Sequence, residues 1–126
     1  MNAHGGNIAA LTAAVDQLVA EGHHVRWVPC ATEEVDLHAG RTETSLMLHL
    51  RPDAVRVDLA EAGNTAPLVE ILPAMVERGV RAVSANGVLG DPAGASAEEG
   101  RWILEEMVHL VHRSLTRRDS PQVTAP

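Results

Sequence analysis

Two short polar stretches carry the residues of this chain best suited to chemistry: His4-Gly5-Gly6-Asn7 and Asp36-Leu37-His38-Ala39-Gly40-Arg41-Thr42-Glu43-Thr44-Ser45. They supply two imidazoles, carboxylates, and glycines that let the backbone turn tightly or approach another group closely. Neutral imidazole and carboxylate are good ligands for zinc, iron or manganese, and a divalent metal is a common device for hydrolysing amide-type bonds. His38 also has an intrinsic pKa suited to moving a proton. With His38 in a loop and Glu43 in the first turns of the next helix, both can converge on one side of that junction. A purely structural reading stands beside this one. Thr42 and Glu43 would then cap a helix and complement its dipole, and His4 would be an ordinary histidine before a glycine-rich cap. Asp36 can orient a histidine in the loop or simply face solvent. Gly5, Gly6, Asn7, Asp36 and Gly40 are therefore read as substrate-binding or loop-shaping positions.

The remaining candidates are weaker. His23, His24, His49, His109 and His112 have no matching carboxylates at useful spacing. Cys30 falls in an apolar run and reads as a small core residue. Asn86-Gly87 and Gly90-Asp91-Pro92 could form a substrate-facing loop, although turn chemistry alone accounts for them.

The elements that must position these residues follow from the hydrophobic pattern. Ile8, Leu11, Val15, Leu18 and Val19 recur at helical spacing over residues 8–21, with Asn7 placed to cap and Gly22 to stop the helix. Residues 24–31 (HVRWVPCA) read as a buried strand, residues 32–37 as an acidic loop, and a second helix begins near Gly40 or Arg41 and ends before Pro52. Residues 53–66 look irregular. Residues 67–78 read as a helix despite Pro73, residues 80–84 as a short strand, and residues 86–95 as a turn-rich loop. Ser96-Ala97-Glu98-Glu99 fits a capping box opening a long amphipathic helix towards Leu115. Helices alternating with short apolar strands predict an α/β architecture with a mostly parallel sheet. Two strands are too few to cover such a sheet, so the chain reads as incomplete. Residues 1–116 form the expected structured part and 117–126 an expected disordered tail.

Composition narrows the function classes. The 126 residues carry a net charge of -7, which argues against nucleic acid as a partner, since phosphate binding needs a cationic face. No apolar run is long enough to span a bilayer and no cationic-then-apolar leader is visible, so a cytoplasmic location is expected. The single cysteine excludes an internal disulfide. Phe and Tyr are absent and all ten basic residues are Arg, the mark of GC-rich coding. Ala, Val and Leu must fill the core.

Taken together, HGGN, DLHAGRTETSLMLHLRP, EAGNTAPLVEILP and GVRAVSANGVLGDPAGASAEEGR strongly resemble the C-terminal half of the creatininase family of metal-dependent amidohydrolases, over nearly all of residues 2–113. The finer resemblance is to the mycofactocin-system branch of that family. The resemblance implies a partial three-layer α/β/α fold with a mostly parallel sheet and its N-terminal half missing. It also implies a divalent metal (Zn, Fe or Mn) and homo-oligomeric assembly or a complementing N-terminal half. The implied substrate is a modified precursor peptide that loses a C-terminal dipeptide.

Residue by residue, His4 matches a metal-ligand histidine, with Ala3 where the family usually has glycine. Gly6 stands where creatininase has a metal-binding glutamate, which makes creatinine an unsuitable substrate and leaves Glu43 as the carboxylate ligand. His38 matches the histidine beside the reacting centre, a proton donor or acceptor for the leaving nitrogen. The family's N-terminal Glu-x-His pair and downstream Asp have no counterpart here, so a truncated product, weakly active alone, is expected. Two alternatives stay open: another amide or formamide hydrolase of the family, and a non-catalytic remnant or interaction domain.

Overall fold

The computed structural model describes residues 1–32 and 36–116. Among them are four α-helices: α1 (Ile8–Ala20), α2 (Arg41–Leu50), α3 (Leu68–Arg78) and α4 (Ala97–Thr116). The chain divides into two compact units, one of residues 1–32 with 106–126 and one of residues 33–105. The expected tail, 117–126, lies outside the described residues, as do residues 33–35 of the acidic loop.

In the first unit, Gly5–Asn7 make a 3-10 turn that leads directly into α1. Asn7 was expected to cap α1 but does not. It already has helical dihedrals, and its amide donates instead to Asn2 Oδ1 at 3.2 Å. Gly22, at φ +89°, ends the helix with the backbone bonds of Gly22 N–H to Val19 and His23 N–H to Leu18. Such a left-handed turn is the conformation glycine adopts without strain. Residues 24–31 do not form the expected strand. One parallel bridge remains, Asn2 against Pro29, in which Asn2 N–H donates to Val28 (2.9 Å) and Cys30 N–H to Asn2 (2.7 Å). It leaves Val28 buried and ends two residues before His4.

In the second unit, α2 begins at Arg41 with Gly40 at its N-cap, and α3 follows Pro67, whose fixed φ suits a helix entry. Gly79, at φ +79°, closes α3. The expected strand at 80–84 is a 3-10 turn over Val80–Ala82. The physical reason is local. Among the described residues no neighbouring strand offers pairing, so Ala82 N–H bonds to Gly79, and Val83 and Ser84 N–H both bond to Val80. Buried backbone groups must find partners, and a tight turn supplies them within the segment. The expected mostly parallel sheet is therefore not present among the described residues. Among the described residues there are two isolated bridges, the second joining His38 and Leu89 in antiparallel sense, beside the backbone bonds of Gly63 and Asn64 to Gly90 and Val88. Ile71 and Leu89 are the buried apolar side chains of this unit, beside the buried hydroxyls of Ser45 and Ser84.

Candidate functional site

The junction into α2 is built around Asp36. Its carboxylate accepts the Thr42 N–H at 3.3 Å, satisfying one of the free amides at the start of the helix. The same carboxylate lies under Gly40 and Gly90. A Cβ on Gly40 would collide with the Asp36 carboxylate and meet Gly90 Cα at 3.0 Å, and a Cβ on Gly90 would lie 2.8 Å from Asp36 Cβ. Two glycines and a short acid are thus packed together where the loop enters the helix. Ala39 sits at φ +54°, left-handed backbone that a non-glycine residue adopts at a cost. The pairing of 37–38 with Leu89 holds it there: Leu37 and His38 N–H donate to the Leu89 carbonyl (3.0 and 3.1 Å), and Leu89 N–H returns to His38 (2.8 Å).

This bent loop brings His38 and Glu43 together. Glu43 Oε2 accepts the Ala39 N–H at 2.6 Å and lies 3.4 Å from His38 Nδ1. Both side chains are about half exposed, at 56% and 50%, so the pair is open to solvent and to a ligand. Glu43 therefore does two things. It ties the start of the helix back to Ala39, as the structural reading requires, and it faces the imidazole. Among the described residues, its Oε1 takes no hydrogen bond.

A cleft of about 430 Å³ lies alongside. Asp36, Leu37, Leu89, Gly90 and Asp91 line one side, and the entry to α3 at Asn64–Leu68 lines the other. Asn64 shapes that second wall: its amide donates to the Val83 carbonyl at 2.8 Å, and its Oδ1 accepts the Ala66 N–H at 2.8 Å. Leu37 and Leu89, which flank His38 by sequence and by backbone pairing, line this cleft, whereas His38 and Glu43 are not among its lining residues.

In the first unit the His4 motif forms a small polar knot. Asn2 Nδ2 donates to the His4 carbonyl at 2.9 Å, His4 N–H reaches Asn2 Oδ1 at 3.3 Å, and Asn7 N–H closes onto His4 at 3.1 Å. A Cβ on Gly6 would lie 3.0 Å from His4 Nε2, so Gly6 leaves room for the imidazole to fold back. His4, Gly5, Gly6 and Asn7 thus sit in one unit, and Asp36, His38, Gly40 and Glu43 in the other.

Sequence reasoning missed Asn2, Asn64, Ser45, Gly90 and Glu99 as organisers. Gly90 carried a turn signal and Ser45 closed the second polar motif, but only Glu99 was read with a structural partner, as the last residue of the expected capping box. Ser96 Oγ does accept the Glu99 N–H, at 3.1 Å. The Glu99 carboxylate, however, goes to α2: Arg41 Nε lies 2.9 Å from both of its oxygens, and Ser45 Oγ donates to it at 2.7 Å. Arg41, and after it Ser45, hold the Glu99 carboxyl below the usual carboxylate range.

A metal was expected on His4 and Glu43. Among the described residues no group of three or more His, Cys, Asp or Glu side chains converges, whereas a catalytic zinc site takes three protein ligands. The donors have suitable chemistry, but as described they do not make up a metal centre, and no reaction step is routed through one.

The creatininase family model, creatinine amidohydrolase, matches residues 1–115, and the chain belongs to that family. Membership implies an α/β fold, and enzymes of this family are generally metal-dependent. More particularly, the chain is similar to the mycofactocin precursor peptide peptidase of Mycolicibacterium smegmatis, with 53% identity over 109 residues, 86% of this chain and 44% of that protein. The proteins of the same name from Mycobacterium ulcerans (54% over 108 residues, 86% and 43%) and Mycobacterium tuberculosis (52% over 117 residues, 93% and 47%) are similar to it as well. The chain thus spans less than half the length of the curated relatives it matches. No solved structure matches it. Among the described residues, no helix is long and apolar enough to cross a membrane.

Proposed function

We propose that this chain carries part of the active site of a creatininase-family peptidase that releases a C-terminal dipeptide from the mycofactocin precursor peptide. The observation that carries the proposal is the His38–Glu43 pair, held 3.4 Å apart on a bent loop whose residues Asp36 and Leu37 line a cleft. Names and identities of the relatives support the substrate class.

In this reading Glu43 Oε2, 3.4 Å from His38 Nδ1, orients the imidazole by its charge. Nε2 is left to take a proton from the attacking water and return it to the nitrogen of the breaking amide bond. The Ala39 N–H on the same carboxylate oxygen keeps Glu43 from turning away. Asp36, pinned beneath Gly40 and Gly90, sets the loop conformation that presents His38. The cleft walls at Asn64–Leu68 and Leu89–Asp91 hold the peptide.

His4 and Glu43 are each proposed as a donor to a divalent metal, which when bound would supply Lewis-acid chemistry. Further ligands would come from the part of the relatives' length that this chain does not span. By itself the chain is then weakly active at best.

Mass spectrometry of the precursor peptide after incubation tests this. The chain is supplied with a complementing N-terminal segment from a relative and with zinc, iron or manganese in turn. Appearance of the shortened peptide and a dipeptide is expected. An intact peptide with all three metals, from a folded and assembled protein, would overturn the proposal.

A further inference from the structure

We infer that Glu99 is a positioning residue for the His38–Glu43 pair: through Arg41 and Ser45 it fixes the rotation of α2 about its own axis, and with it the direction in which Glu43 presents its carboxylate. The inference deepens the functional reading above and rests on it for its catalytic meaning.

Arg41 and Ser45 are four residues apart and share one face of α2. Glu43 lies between them, about 200° round a helix of 3.6 residues per turn, on the opposite face. One face of a single helix therefore carries a lock and the other carries the reacting pair.

The lock is a closed circuit. Glu99 N–H donates to Ser96 Oγ (3.1 Å), Ser96 N–H donates to Ser45 Oγ (3.1 Å), and Ser45 O–H donates to Glu99 Oε2 (2.7 Å). Arg41 then clamps both oxygens of the same carboxylate. Ser45 is completely buried, and a buried hydroxyl without partners is costly, so its two bonds are a strong constraint. Gly100 tightens the arrangement further. A Cβ there would run into the Ser45 carbonyl, so the α4 backbone lies directly on α2. In an ordinary capping box the glutamate would reach back to the N–H of Ser96. Here Ser45 takes that N–H, and the carboxylate is left for α2. Rotation of α2 would break the circuit on one face and swing Glu43 away from Ala39 and His38 on the other.

The Ala39 amide, which donates to Glu43 Oε2, reports the direction of that carboxylate without any turnover. Backbone NMR of the full chain, with Glu43→Ala as reference, is compared for the wild type, Glu99→Ala and Glu99→Gln. In Glu99→Ala the Ala39 amide proton is expected to move upfield towards its position in the reference, with exchange about tenfold faster, the equivalent of one hydrogen bond. Glu99→Gln keeps an acceptor for Ser45 and should fall between. An Ala39 amide unchanged in folded Glu99→Ala, with only the melting temperature lowered, would overturn the inference. Should Glu99→Ala not fold, Glu99→Gln and Arg41→Gln make the same comparison, and an unmoved resonance in both would overturn it. Failure of the functional reading looks different: the amide shifts as expected, yet loss of the His38 imidazole leaves peptide cleavage untouched.

Discussion

Asp36, Gly40 and Gly90 show how much the chemistry of His38 and Glu43 depends on residues that would do no chemistry themselves. At Gly40 even a methyl group would strike the Asp36 carboxylate, so Gly40→Ala must displace either the acid or the Gly90 backbone. Overpacking of this kind typically costs about 1–3 kcal/mol. Chemical denaturation should show that loss, and the added cost of Gly40→Ala should shrink in an Asp36→Ala background, where the Gly90 Cα remains a close neighbour. Glu43 holds both the Ala39 N–H and the imidazole, so its neutral isostere separates two roles. In assembled enzyme, Glu43→Gln should lower kcat about 10–100-fold while leaving helix content by circular dichroism unchanged. A change in helix content with kcat preserved would favour the capping role alone.

At the scale of the elements, the α2–α4 junction carries a pH dependence whose sign follows from Glu99. Its carboxyl titrates below its ordinary value because Arg41 and Ser45 favour the ionised form. A depressed folded-state pKa contributes stability that is present above the unfolded value, about 4.3, and is lost as pH falls through the folded value. Thermal melts should therefore show stability falling between pH 5 and the acid limit, with a shallower fall in Glu99→Gln. Equal slopes for the two proteins would contradict the assignment. The size of the effect is modest, because the pair is partly exposed and screened by solvent.

The same elements show what the sequence made legible. Helices α1, α3 and α4 could be placed from apolar spacing, Pro67 and the glycines that close α1 and α3, because these signals act within one or two turns. Likewise, the meeting of His38 with Glu43 needed only a loop followed by a first helical turn. The segments 24–31 and 80–84 read as strands from their apolar, β-branched composition. A strand, however, is completed by its neighbours, and the described residues offer only single bridges. For the same reason Ser45 and Glu99 were unreadable as partners, since nothing local marks a hydrogen bond across 54 positions of sequence.

For the whole molecule, the apolar side chains left uncovered matter most. Nearly half of the sequence is hydrophobic, at 45%, yet among the described residues of that kind the buried core is Val28, Ile71 and Leu89. On α3, Val69 and Val76 are each 78% exposed and share a face with Leu72. Contiguous apolar surface of this kind favours association. Light scattering of the purified chain should find self-association that coexpression with a complementing N-terminal segment suppresses. A cooperative, monomeric chain alone would contradict that expectation. Metal analysis belongs at the same scale. The chain alone should retain well under one divalent ion per molecule, and the assembled protein about one or more, because a catalytic metal needs about three protein donors.

The central claim, that His38 moves the proton at the bond being broken, is met most directly by the rate of peptide cleavage in assembled enzyme carrying His38→Asn. With saturating peptide and matched metal content, kcat should fall about 10²–10⁴-fold, the usual contribution of a positioned acid–base group, with the fold intact by circular dichroism. A variant that cleaves at the wild-type rate would contradict the account.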